Sequence, residues 1–327
     1  MRLRDYQQRA VTDIRAALSH HRAVVLALQT GGGKTVIACE IIRRVIERGR
    51  RAMFVVHRVE LVEQAVARLE AFGIKAGVIK AGYRERRDRP IQVACVPTLI
   101  RRKFPPADLV ILDECHHGVS ASWLRVVRHY RDAGAWILGI TATPLRLDGK
   151  PLGDVFDAIV EPVTTADLIA AGHLIEPTVF APPVDLSGVR TRMGDYALPE
   201  LVERVSPLTG HVTQTWAEHG RGLRTLAFAC NVKHSRMLED AFRAVGARVA
   251  HVDGTSSREE RTRANQRLRA FDLDVVTQCQ LWTEGVDIPE LGCLVVARHV
   301  WVRTMMLCIV TCLGSPLRKL PNSERTG

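Results

Sequence analysis

Short apolar runs alternate along the chain with longer amphipathic stretches. This alternation predicts a parallel sheet wrapped by helices. In the first half, apolar runs of strand length predict five strands: Ala23–Leu28, Ala52–Val56, Ile91–Cys95, Leu109–Leu112 and Trp136–Ile140. Between these runs, apolar residues recur at helical spacing in Thr35–Glu47 and Glu60–Phe72, which predicts two helices.

Residues 161–205 interrupt this alternation with closely spaced prolines and glycines, which predicts a connector or an irregular insertion. A second alternating block follows. Its apolar runs predict four strands: Thr225–Ala229, Arg248–His251, Val275–Thr277 and Cys293–Ala297. The fold class is therefore predicted to be α/β, with one lobe at residues 1–160, the connector at 161–205 and a second lobe at 206–327.

The length and composition fit a soluble protein of about two domains. The 327 residues exceed the length that a single hydrophobic core usually accommodates, and the hydrophobic content is 46%. We find no targeting segment and no apolar run approaching the ~20 residues that span a membrane, so a cytoplasmic location is expected. Most of the eight cysteines lie in apolar runs, which favours reduced thiols over a zinc site. The net charge of +11 indicates a polyanionic partner.

A glycine-rich segment lies between the first predicted strand and the first predicted helix: Thr30, Gly31, Gly32, Gly33, Lys34 and Thr35. Consecutive glycines let backbone N–H groups surround a phosphate, and a helix N-terminus adds positive potential. Lys34 is predicted to reach the β- and γ-phosphates, and the Thr35 hydroxyl is predicted to hold Mg²⁺. The general pattern has glycine where this chain has Leu28, and a glycine-rich turn without a ligand is the alternative.

Two acidic residues follow the fourth predicted strand. Asp113 and Glu114 stand where a parallel strand ends at its carboxyl side, the edge at which ligands bind in α/β sheets. Asp113 is predicted to hold Mg²⁺, and Glu114 is predicted to activate the attacking water. His116 is predicted either to be a polar surface residue or to link the nucleotide to the second lobe. The phosphate loop and the acidic pair together predict a site for ATP and Mg²⁺.

With these motifs in this order, the sequence resembles a superfamily-two helicase of the DEAD/DEAH-like group, which includes XPB-type and restriction-type translocases. The resemblance runs from Leu3 to about Pro289. It implies two RecA-like lobes, each a mostly parallel sheet flanked by helices, with the ATP cleft between them. It also implies that Arg4 and Gln7 contact adenine, and that Gly285 and Asp287 reach the nucleotide from the second lobe.

The same resemblance implies a set of residues that contact nucleic acid or couple its binding to the nucleotide: His57, Arg58, Gln64, Thr98, His116, Thr141, Thr143 and Thr283. Hydroxyl and guanidinium groups at strand ends suit phosphate oxygens. Aromatic residues make up only 5% of the chain, which favours binding to the backbone without sequence preference. Two arginine clusters, near residues 84–103 and 258–269, serve such binding or are ordinary solvated faces.

The resemblance weakens after Trp301. The family's last motif reads Gln, two residues, Gly-Arg, two residues and Arg, whereas this chain has Thr311 for the Gln and Ser315 for the first Arg. Gly314 and Arg318 fit, and Arg318 is the predicted catalytic arginine. Because an arginine finger contributes ~10³–10⁵ in turnover, Ser315 predicts weak hydrolysis. A frameshifted or truncated gene and divergence into a weak ATPase both account for this departure.

The implied function is ATP-dependent DNA helicase or duplex translocase, an enzyme that couples ATP hydrolysis to movement on nucleic acid. DNA is favoured over RNA by the XPB-like features. An RNA helicase and a nucleotide-gated nucleic-acid-binding protein with weak or no turnover are the alternatives. No dedicated partner-binding domain is apparent in the sequence.

Overall fold

The computed structural model describes residues 2–83, 85–117, 120–144, 152–180, 190–192, 195–196, 200, 202–203, 206–279, 288, 290–297 and 309–312. The chain divides into two compact units, Met1–Leu174 and Ile175–Gly327. The first part of the predicted connector, up to residue 174, therefore belongs to the first unit. The division of the chain at residues 160 and 205 stays a prediction.

The first unit contains a seven-stranded sheet in which every neighbouring pair is parallel. The strands are β1 Ala23–Ala27, β2 Ala52–Val56, β3 Gly77–Ile79, β4 Ile91–Cys95, β5 Leu109–Asp113, β6 Trp136–Thr141 and β7 Ala158–Val160. Their order across the sheet is β3-β4-β2-β5-β6-β1-β7. Every residue of β1, β2 and β4 is buried, as expected for parallel strands covered on both faces.

Helices cover both faces of this sheet: α1 Asp5–His20, α2 Lys34–Glu47, α3 Val59–Ala71, α4 Val96–Leu99, α5 Ala121–Asp132 and α6 Thr165–Ala170. Successive side chains of a strand point to opposite faces, and β1 shows this directly. Leu26 packs in one apolar cluster with Ile14 of α1 and Ile37 of α2. Val25 packs in the other cluster with Trp123 of α5.

The second unit repeats the layered pattern with a mixed sheet. Its strands are β8 Thr178–Phe180, β9 Thr191–Arg192, β10 Asp195–Tyr196, β11 Arg224–Ala229, β12 Val249–Val252, β13 Val275–Gln278, β14 Leu291–Ala297 and β15 Ile309–Cys312. The main sheet has the order β12-β13-β11-β14-β15-β8. Its first four strands are parallel, whereas β15 and β8 are antiparallel to their neighbours.

The helices of the second unit are α7 Thr209–His219, α8 Val232–Ala244 and α9 Arg258–Arg269. One of its apolar clusters contains Trp216, whose indole N–H donates to Thr225 Oγ1 at 2.8 Å and whose ring meets Phe242 edge-on. The predicted α/β class with mostly parallel, helix-flanked sheets is therefore confirmed. Within the described ranges, no helix has the length and apolar character that a membrane span requires.

A buried histidine in α8 should make the stability of the chain pH-dependent. Burial lowers the pKa of His234 to about 4, and its Nδ1 accepts a hydrogen bond from the Cys230 N–H at 3.4 Å. The unfolded chain binds this proton near pH 6.5, so the stabilisation is complete above pH 6.5 and is lost as the pH falls towards 4. We expect a loss of about 2 kcal/mol in the free energy of unfolding between pH 7 and pH 5.

Urea unfolding of the whole chain at the two pH values measures this loss, with His234→Asn as the comparison. Asparagine retains an acceptor near the Nδ1 position and does not titrate. The pH-dependent fall should therefore be about 2 kcal/mol smaller in the variant. An equal fall in both proteins would show that His234 is not the responsible group.

Candidate nucleotide-binding site

The glycine-rich loop connects the end of β1 to the start of α2. Gly31 and Gly33 have φ angles of +83° and +87°, a conformation that favours glycine. A Cβ atom on Gly33 would lie 2.4 Å from Gln7 Nε2, and one on Gly32 would lie 2.8 Å from Leu28 Cγ. Because no side chain fits at these positions, the loop keeps its backbone N–H groups next to the N-terminus of α2. This arrangement fits a phosphate group.

The residues predicted to contact adenine pack directly onto this loop. Gln7 is buried, and its amide accepts from the Arg4 N–H at 3.0 Å and donates to the Gly32 carbonyl at 3.4 Å. The Tyr6 hydroxyl donates to the same carbonyl at 2.7 Å. The start of α1 is therefore fastened to the phosphate loop through one backbone oxygen. Tyr6 was not among the predicted site residues.

Lys34 and the two acids at the end of β5 share one electrostatic environment. Burial lowers the pKa of Lys34, while the charges of Glu114 and Asp113 act in the opposite direction. Burial and the neighbouring Glu114 raise the pKa of Asp113 to about 6, while Lys34 opposes this shift. The structure thus brings the predicted phosphate-binding lysine and the predicted metal-binding carboxylate together. This donor set fits a triphosphate with Mg²⁺, which takes oxygen ligands such as the Asp113 carboxylate and the Thr35 hydroxyl.

Glu114 has a φ angle of +49°, one of only two such values among the described non-glycine residues. This left-handed conformation is uncommon for glutamate and costs of order 1–3 kcal/mol, and such conformations cluster at functional sites. The Glu114 N–H lies 3.1 Å from Asp113 Oδ1. Consecutive strand residues would point to opposite faces, whereas the turn takes Glu114 out of this alternation and leaves it close enough to Asp113 to raise the pKa of that carboxyl.

A polar chain links Glu114 to the end of β6. His116 is buried, and its Nδ1 lies 3.4 Å from Glu114 Oε2 and 2.9 Å from Thr141 Oγ1. Thr141 Oγ1 also accepts from the Thr143 N–H at 3.0 Å and lies 3.0 Å from the Thr143 carbonyl oxygen. If that carbonyl takes the one hydroxyl proton, His116 Nδ1 must be the donor. These polar contacts then connect Glu114 to Thr141 and Thr143, two of the residues predicted to couple nucleic-acid binding to the nucleotide.

The other residues predicted to contact nucleic acid in the first unit also follow the carboxyl ends of strands. His57 and Arg58 come directly after β2, and Thr98 lies in α4 immediately after β4. His57 is close enough to Asp113 to lower its pKa. Gln64 lies farther along α3 and is exposed. Since β4, β2, β5, β6 and β1 are neighbours in one parallel sheet, these residues share the edge that carries the phosphate loop.

Several predicted residues lie outside the described part of the chain: Thr283, Gly285, Asp287 and Arg318. Their roles therefore stay predictions from the sequence. The cluster of arginines near residues 84–103 is partly neutralised, since Glu85 pairs with Arg87 and Arg102, and Arg86 pairs with Asp88 at 3.1 Å. The arginines of α9 are mostly exposed.

Known protein families match both units. The family model for the res subunit of type III restriction enzymes matches residues 1–146, and the model for the helicase conserved C-terminal domain matches residues 205–306. IRC3 of Saccharomyces cerevisiae, provisionally named an ATP-dependent helicase, is 27% identical over 334 residues, which are 94% of this chain and 48% of that protein. The DNA 3'-5' translocase XPB2 of Sulfurisphaera tokodaii is 32% identical over 168 residues, 49% of this chain and 35% of that one.

The fold also matches solved structures. The ATP-dependent type ISP restriction-modification enzyme LlaBIII, solved bound to DNA, superposes with a TM-score of 0.66 at 15% identity, over 91% of this chain and 26% of that one. The chain spans about half the length of several curated relatives that it matches. On these matches, the chain carries two domains of superfamily-two helicases and is similar to restriction-type and XPB-type members of that group.

Proposed function

We propose that the chain is an ATP-dependent DNA helicase or duplex translocase, which couples ATP hydrolysis to movement on nucleic acid. One observation carries the proposal: Lys34, Asp113 and Glu114 influence each other electrostatically beside a glycine loop that has no room for side chains. A phosphate-binding cation, a metal-binding carboxylate and a second carboxylate are the groups that phosphoryl transfer to water requires.

Each group has a distinct role in this proposal. Gly31 and Gly33 present backbone N–H groups to the phosphates, and Gly32, whose own N–H donates to the Gln29 carbonyl at 2.9 Å, leaves room for them. Thr30 lies at the entrance of the loop, and Lys34 balances the charge of the β- and γ-phosphates. Thr35 and Asp113 hold Mg²⁺, which neutralises phosphate charge when it is bound. Glu114 orients the attacking water and accepts its proton.

Four further contacts are proposed on the family resemblance alone. Gly285 and Asp287 contact the nucleotide, Thr283 couples it to the nucleic acid, and Arg318 stabilises charge on the transferring phosphate. Arg4 and Gln7 recognise the base in the first unit, where Gln7 already bonds the phosphate loop.

The nucleic acid is proposed to cross the carboxyl edge of the first sheet. His57, Arg58, Thr98 and Thr141 follow strand ends at this edge, and such groups suit phosphate oxygens. Residues 1–174 carry 27 Lys and Arg against 18 Asp and Glu, so most of the positive excess lies in this unit. DNA is favoured over RNA because the relative XPB2 is named as a DNA translocase.

A second candidate function is a nucleotide-gated nucleic-acid-binding protein with little turnover. The substitution of Ser315 for the first arginine of the family's last motif favours it. In this case ATP changes the affinity for nucleic acid, but its hydrolysis does not drive movement.

Displacement of a third strand from a DNA triplex tests movement along a duplex. We expect the chain to release the third strand with ATP and Mg²⁺, and not with a non-hydrolysable ATP analogue. DNA binding should weaken steeply with salt, because phosphate contacts release counterions. Binding that depends on ATP without any strand release would contradict translocation and support the second candidate.

His116→Ala should uncouple the acidic pair from Thr141. The change removes the contacts of the His116 imidazole with Thr141 and Glu114 and does not alter the phosphate loop. We expect stimulation of ATP hydrolysis by DNA to fall about tenfold, within the usual range of coupling between sites, while nucleotide affinity stays within about twofold.

His129→Ala is the matched control for this change. His129 lies exposed in α5 and stacks on Phe104, away from the acidic pair. The control should keep the stimulation by DNA. Full stimulation of His116→Ala would show that the polar chain does not carry the coupling.

A further inference from the structure

The segment that follows α6 packs against the phosphate loop, although its sequence suggested only a connector. The N–H groups of His173 and Leu174 both donate to the Leu168 carbonyl, at 2.8 and 3.0 Å, and so fix the turn that ends α6. Leu174 Cδ2 lies 2.8 Å from where a Cβ atom on Gly31 would be. The turn therefore lies directly beside the loop that is proposed to bind phosphate.

This turn places His173 beside Tyr6, which lies between Arg4 and Gln7, the two residues predicted to contact adenine. The His173 ring centroid lies 5.5 Å from that of Tyr6 at an interplanar angle of 43°, and the His173 side chain is exposed. Arg4 Nη1 lies 3.4 Å from the Tyr6 hydroxyl. An exposed imidazole and an exposed guanidinium thus both contact one buried tyrosine, whose hydroxyl donates to the Gly32 carbonyl.

We propose that His173 is a further nucleotide-binding residue, whose imidazole stacks on the purine base of a nucleotide held at the phosphate loop. This inference rests on the proposed function, which places a nucleotide there. Gln7 Nε2 donates to the Gly32 carbonyl and to the Tyr6 hydroxyl, at 3.4 and 3.5 Å, whereas Oε1 accepts only from the Arg4 N–H and keeps one lone pair for an amino group on the edge of a base. The face of such a base is then available to a planar side chain, and stacking on an aromatic ring tolerates any purine.

The position of His173 in the sequence means that the proposed base contact lies close to the end of the first unit. His173 stands two residues before Ile175, where the second unit begins. A base that stacks on His173 therefore contacts the segment through which the chain leaves the first unit. The phosphates are held by the loop and α2, whereas the base alone contacts this segment.

Calorimetric titration with ADP and with inorganic tripolyphosphate tests the proposal, because only ADP carries a base. We expect His173→Ala to weaken ADP binding about tenfold and to leave tripolyphosphate binding unchanged. His173→Phe, which keeps a planar ring, should retain ADP affinity within about threefold. His20→Ala, at the exposed end of α1, is the control and should match the wild type for both ligands.

Unchanged ADP affinity in His173→Ala would overturn the proposal, and so would an equal loss of ADP and tripolyphosphate binding, which would show a structural effect on the loop. If the wild type binds neither ligand, the nucleotide site itself is wrong, and the proposed function fails together with this inference. A wild type that binds tripolyphosphate, with no effect of His173→Ala on ADP, leaves the proposed function standing and overturns this inference alone.

Discussion

Replacing Lys34 with alanine is expected to reduce ATP turnover by at least about 10³-fold and to weaken nucleotide binding. Lys34 is the first residue of α2, and its charge acts on Asp113 and Glu114. Its removal leaves two carboxylates without this cation where a triphosphate must bind, so negative charges repel one another. Loss of a single preorganised electrostatic group commonly costs about 10²–10³ in rate, and Lys34 also contributes to binding.

Lys75→Ala is the matched control, because Lys75 is an exposed lysine of the same unit at the opposite, amino edge of the sheet. Phosphate release by a coupled assay gives turnover, and titration with a fluorescent ATP analogue gives affinity. The control should turn over ATP at the wild-type rate. A Lys34→Ala protein with wild-type turnover would show that hydrolysis does not take place at this loop.

Glu114→Gln is expected to separate binding from chemistry. The change keeps the size and the strained turn after β5 but removes the carboxylate that is proposed to accept the proton of water. General base catalysis contributes about 10²–10⁴ in rate, so we expect turnover to fall about 10³-fold. Nucleotide affinity should not fall, because the variant removes a negative charge near the phosphates.

Single-turnover hydrolysis and nucleotide titration on the same preparation measure the two effects. Glu70→Gln, on the exposed surface of α3, serves as the control for the loss of one carboxylate. If Glu114→Gln lost affinity and rate in equal proportion, the role of Glu114 would be in binding. If neither changed, another group would be the base.

Much of the first unit could be predicted from the pattern of apolar residues. The runs at 52–56 and 91–95 are strands with those same bounds, because buried parallel strands need apolar residues on both faces. The predicted helix at 35–47 begins one residue earlier, at Lys34, because Gly33 takes a left-handed conformation and forms its N-cap. The predicted strand at 109–112 extends to Asp113, so the strand carries its acidic residue to the edge of the sheet.

The strands that escaped prediction include short strands at or near the edges of sheets. β8 has three residues in a proline-rich stretch, and β15 joins the sheet antiparallel to β14. Such strands depend on pairing with neighbours that are distant in sequence, so local periodicity does not reveal them.

The sequence placed Lys34, Asp113 and Glu114 in one site through the order of the motifs, yet it did not reveal how they are held. The hydrogen bonds of Tyr6 and Gln7 to Gly32 join residues about 25 positions apart. The contact of His173 with Tyr6 crosses almost the whole first unit. These contacts come from tertiary packing, and no local pattern of residues encodes them. A tyrosine directly before the predicted base-contacting glutamine was the one available signal.

ATP hydrolysis by the wild-type chain with Mg²⁺, measured with and without duplex DNA beside Lys34→Ala, tests most directly whether this site hydrolyses ATP in response to DNA. We expect DNA to raise the wild-type rate and Lys34→Ala to stay at background in both conditions. Equal rates for the wild type and Lys34→Ala, with DNA present, would contradict this expectation.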